Sequence, residues 1–212
     1  MYERGKRMYE FSVAMGLADF IPVLFFGVSA LLLQRDLYNK MVKGAYALFA
    51  AGTINVFCAG FLKATWKLLY AAGVCDFAAL NTMFLPLQSI GFLLIGLGLV
   101  GMIAWKARSA AALAVAPPVF GGTFVFIGMM VAGLGVLCGV LSMIAAKMRK
   151  HGVIVLFVLA FVGSMGMGYM SSRDSTAAWV NWAEQGINTV SQGMLMAGVI
   201  LLHRAGLREW KP

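Results

Sequence analysis

Asn181, Glu184, Gln185, Asn188, Ser191 and Gln192 stand at offsets of 0, 3, 4, 7, 10 and 11, which on an α-helix places six polar side chains along one stripe. The surrounding stretch, 177–202, is otherwise mostly apolar and reads as a membrane-crossing helix. Lipid offers these groups no hydrogen bonds, so the stripe is expected to face other helices or water. Glu184 stands out, because a carboxylate inside a bilayer is costly and usually has a task or a partner. It is the candidate charge-sensing or proton-coupled residue, with Asn181, Gln185, Asn188 and Gln192 as neutral contacts along a path or binding site. The competing reading is structural: the amides hold helices together by bonds worth about 0.6 kcal/mol each, with Glu184 paired or at an interface.

Further polar groups fall at matching depths on other apolar stretches. Asp19, Lys63 and Asn81 come out level near one side, and Asp19 with Lys63 is a candidate gate pair whose mutual attraction would offset the cost of burial. Thr53 and Asn55, and Gln88 with Ser89, come out near the middle. Amides and hydroxyls converging from three helices would suit an ion or a small polar solute, and would equally serve as interhelical glue.

The elements that must position these groups follow from composition. The 212 residues are 61% hydrophobic and 12% charged, with a mean hydropathy of +0.86, which excludes a water-soluble domain. One crossing takes about 20 apolar residues. The apolar runs bounded by charge are 11–33, 44–62, 77–104, 119–146, 152–171 and 177–202. The expected fold is an all-α polytopic membrane protein, a single domain of six transmembrane helices in the lipid bilayer. Leu80-Asn81-Thr82-Met83 in the third run matches Ile187-Asn188-Thr189-Val190 in the sixth, a pattern compatible with a 3+3 inverted repeat. Pro22 and Pro86 lie inside runs, where each frees a backbone carbonyl one turn earlier. Pro117-Pro118 marks the start of the fourth run. Lys63, Trp66, Lys67 and Tyr70 at helical spacing read as an anchor where the second helix leaves through the headgroups.

The net charge of +9 punctuates the apolar runs, so it reads as a topology signal and not as a nucleic-acid surface. Six alternating spans put both termini, and most lysines and arginines, on the cytoplasmic side of a plasma membrane, although Arg35, Lys40 and Lys43 then weigh against the bias. Cys58, Cys75 and Cys138 have no CxxC spacing, and His151 and His203 lie near run ends, so no metal or cofactor is expected. No GxSxG, HExxH, P-loop or GxGxxG pattern is present and no catalytic residue is assigned. Small residues four apart, such as Gly135 and Gly139 or Gly193 and Ala197, permit close helix approach within the chain, in a homo-oligomer or against a partner membrane subunit. The expected function is a small transporter or channel. The rivals are a non-transporting sensor, anchor or assembly subunit, and a lipid-modifying enzyme built on Glu184 or Asp19.

Overall fold

The structure, a computed structural model, describes residues 11–104, 123–171 and 178–210. Among them all regular structure is helical: α1 Val13–Ala18, α2 Phe20–Leu37, α3 Lys43–Ala71, α4 Ala78–Thr82, α5 Phe84–Ala104, α6 Thr123–Lys147, α7 His151–Ser171 and α8 Ala178–Arg204. Pro117-Pro118, expected to open the fourth run, lies outside the described residues.

Two breaks share one local cause. Phe20-Ile21-Pro22 opens α2 and Phe84-Leu85-Pro86 opens α5. A proline cannot donate to the carbonyl four residues earlier, and its ring crowds that group. The helix is therefore interrupted just upstream, separating α1 from α2 and α4 from α5. Counting each broken pair as one, the described helices form six rods. Four stretches, Val13–Lys40, Lys43–Ala71, Ala78–Ala104 and Thr123–Lys147, are long and apolar enough to cross a membrane. In α7 the apolar part is shorter, His151–Met167, and α8 carries the polar stripe.

Contacts between rods set their directions. The α1–α2 rod runs against α3, with Gly16 of α1 on Leu68, and Gly27 on Phe57 and Gln34 bonded to Thr53 from α2. α3 runs against α5, with Gly52 on Gly91 and Gly98 on Ala45. α6 turns back into α7 through Met148–Lys150, where Arg149 takes a left-handed φ of 58° and Lys150 N–H reaches the Ala145 carbonyl at 2.8 Å. α7 runs against α8, with Gly163 on Ser191 and Gly198 on Phe157. The rods pack on their chain neighbours, and α8 packs on α2 to close a ring.

That closing contact is parallel: Gln185 meets Ala18, Gly193 meets Phe25 and His203 meets Asp36. The two sets of three rods therefore run in the same sense, whereas an inverted repeat requires opposite senses. α5 ends at one end of the bundle and α6 begins at the other. The described chain accordingly starts at one end and finishes at the opposite one, where six alternating spans would return it to its starting side. Arg35, Lys40 and Lys43 now share an end with Lys147, Arg149, Lys150, Arg204 and Arg208, which we call the basic end.

The apolar core fills the half toward this end, with Phe49, Leu99, Leu141, Phe157, Val199 and Leu202 fully buried. Helices there approach to backbone contact. A Cβ on Gly133 would lie 2.1 Å from the Phe92 carbonyl oxygen, and one on Gly52 2.5 Å from that of Gly91. Gly133→Ala should therefore destabilise the protein by about 1–3 kcal/mol through overpacking. Gly139→Ala, with nothing within 4 Å, should be neutral or slightly stabilising. Melting curves of the two purified variants in one detergent check the contrast.

Candidate functional site

In the half away from the basic end, two adjoining cavities of about 70 and 60 Å³ lie between α2, α3, α5, α7 and α8. They share Val23, Gly60, Phe84, Met167 and Asn188 as walls. The first is charged, lined by Asp19, Lys63, Lys67, Asn181, Glu184 and Gln185. The second is lined by Gln88 and Gln192 among apolar side chains, and ends on Phe26 and Phe92, whose rings meet edge to face at 6.1 Å. The α8 residues from Asn181 to Gln192 span roughly 16 Å along the helix axis at 1.5 Å per residue, so one stripe serves both cavities.

The charged wall has a defined pair. Asp19 is 8% exposed, and its Oδ2 lies 2.8 Å from Lys67 Nζ. The expected partner, Lys63, stands one turn earlier on α3 and places its ammonium 4.0 Å from the centre of the Phe84 ring. The pairing is thus corrected from Lys63 to Lys67. The anchor expected at Lys63–Tyr70 is corrected with it: α3 continues to Ala71, Trp66 and Lys67 are buried, and Trp66 Nε1 donates to Asp76 Oδ1 at 3.0 Å. The lysine points inward because Asp19, at the break forced by Pro22, offers a countercharge that headgroups would otherwise supply.

Gln185 has a structural use. Its Nε2 donates at 2.8 Å to the Ala18 carbonyl, the group four residues before Pro22 that helix geometry leaves without a donor. Asn181, Glu184, Asn188, Gln88 and Gln192 all line the cavities, while Asn55, half-buried on α3, lines neither of them. Gln192 Oε1 is buried without a hydrogen-bond partner among the described residues.

A second polar cluster, at the basic end, escapes sequence reasoning. The Asp36 carboxylate is fully buried, and Oδ2 accepts from His203 Nδ1 at 2.7 Å. Arg35 Nη2 lies 2.7 Å from His203 Nε2, so the ring fits its Nδ1–H tautomer, donating to the acid and accepting from the guanidinium. Lys40 Nζ donates to the carbonyls of Arg208, at 2.8 Å, and Trp210, tying the chain beyond α8 to the end of α2. The available signal was Asp36, an acid three residues past the end of the first apolar run. Its partner was hidden because alternating spans place Asp36 and His203 at opposite ends.

Removing Lys67 would leave the buried Asp19 without its countercharge, a change that costs about 3–5 kcal/mol in comparable pairs. Lys67→Met should lower the melting temperature sharply, and the double variant Asp19→Asn/Lys67→Met should recover much of the loss. Lys63→Met, which breaks no ion pair among the described residues, should cost far less.

No protein-family model, curated protein or solved structure matches this chain.

Proposed function

We propose that the protein is a plasma-membrane transporter or channel of six transmembrane rods, carrying an ion or a small polar solute along the α8 stripe. The observation that carries this reading is the pair of adjoining cavities, lined by charged and amide side chains within a bundle whose outer surface is apolar. Glu184 and Asn188 contact the solute in the first cavity, and Gln88 with Gln192 receive it in the second. The Asp19–Lys67 pair sets the charge of the entrance. The packed half beyond Phe26 and Phe92 closes the path, and alternating access requires those helices to part. By the positive-inside bias the basic end faces the cytoplasm, so the cavities lie toward the outer side.

Gln185 favours a second reading in one respect, since its amide serves the backbone of α2 and not a solute. A sensor, anchor or assembly subunit would use all its intramembrane amides in that way.

Two experiments separate these readings. In proteoliposomes, potential-driven flux through wild type should exceed that of empty liposomes, and both Glu184→Gln and Asn188→Ala should reduce it at least tenfold at matched reconstitution. Unchanged flux in both variants rejects the assigned path. If wild type gives only background and the substitutions merely lower the melting temperature, the assembly reading replaces transport of ions. For orientation, Lys43→Cys and Lys150→Cys in a background lacking Cys58 and Cys75 should both resist an impermeant thiol reagent on intact cells and react after permeabilisation. Six alternating spans would expose one of the two.

A further inference from the structure

The first cavity holds groups of both signs, and two of them, Asp19 Oδ1 and the Lys63 ammonium, have bonding capacity that no described residue meets. Asp19 uses Oδ2 for Lys67, but its Oδ1 is buried with no hydrogen-bond partner among the described residues. Lys63 lines the same cavity, and among the described residues no carboxylate oxygen lies within 4.0 Å of its ammonium; a ring face is its neighbour. A buried acceptor without a donor and an ammonium without an acceptor are both costly states, and a ligand that supplies the missing partners relieves both at once.

The signs decide what such a ligand is. A bare cation entering the cavity meets the ammoniums of Lys63 and Lys67. A bare anion meets the carboxylates of Asp19 and Glu184. One molecule carrying both an ammonium and a carboxylate meets an opposite charge at each end. Resting on the transport reading above, we propose that the first cavity is the binding site of a small zwitterion. Its ammonium lies at Asp19 Oδ1 and its carboxylate at Lys63. Asn181 and Asn188 supply amide contacts, and Gln192 Oε1 in the adjoining cavity offers one further buried acceptor. The space sets the size. Cavities of about 70 and 60 Å³ together approach the roughly 150 Å³ that accommodates benzene, which limits the solute to about six non-hydrogen atoms, the range of glycine and alanine.

Equilibrium binding of radiolabelled glycine to the full chain in nanodiscs tests this assignment. Saturable binding is expected. Unlabelled alanine should displace the label, whereas acetate and methylammonium, each carrying half of the charge pattern, should not do so at the same concentration. Lys63→Met should weaken glycine binding at least tenfold while leaving the melting curve close to wild type, and Lys63→Gln should do the same if the first variant folds poorly. Absence of saturable glycine and alanine binding by wild type overturns the proposal. So does binding that survives both Lys63 variants, or displacement by acetate or methylammonium alone. Potential-driven flux that persists when glycine fails to bind removes the zwitterion and leaves a conducting path intact, so the two readings fail separately.

Discussion

A proline three residues into α2 leaves the carbonyl of Ala18 without a helical donor, and Gln185 of α8 supplies one at 2.8 Å. Some 27 Å further along, taking 1.5 Å per residue, the same two helices meet again where His203 donates to the buried Asp36. Inside a bilayer neither acceptor could turn to water. The two bonds therefore align α2 and α8 side by side in the same direction, and the remaining geometry follows. Each antiparallel neighbour takes its sense from them, the ring closes, and Arg35, Lys43, Lys147 and Arg204 collect at one end.

The bundle divides its length between two kinds of packing. Toward the basic end, glycines at 52, 98 and 133 let backbones touch and the interior is filled by phenylalanine, leucine and valine. Toward the other end the interior is polar, and its charges are tolerable only where they meet an opposite charge or an aromatic face. Lys67 does so through Asp19, and Lys63 through Phe84. Space appears in this half because long polar side chains do not interlock as branched apolar ones do. Packing and chemistry are thus separated along the membrane normal, with the Phe26 and Phe92 rings at the boundary.

Much of this was legible in the chain. Apolar runs located all the rods, since hydropathy reports what lipid requires of any helix. The 3.6-residue period found the α8 stripe, and Pro22 announced a free carbonyl. What was lost was lost to pairing. Lys67 looked like a headgroup anchor because nothing local says that Asp19 faces it across a helix break. Asp36 and His203 were invisible as partners because alternation of spans places them at opposite ends, and only the tertiary fold shows that α5 and α6 share a direction. Asn55 was drawn into the site by depth alone, although depth does not tell which side of a helix faces inward.

The closing of the ring by α2 and α8 has a consequence for synthesis. When α2 leaves the ribosome, the Ala18 carbonyl lacks the Gln185 amide and the Asp36 carboxylate lacks the His203 ring, and the segment that supplies both is translated only after α3 to α7. Until α8 arrives, the nascent bundle is an open arc with an exposed seam, which an insertase or chaperone can occupy and a quality-control protease can recognise. A chain cut before Gln185 would lack both donors and could not close the ring.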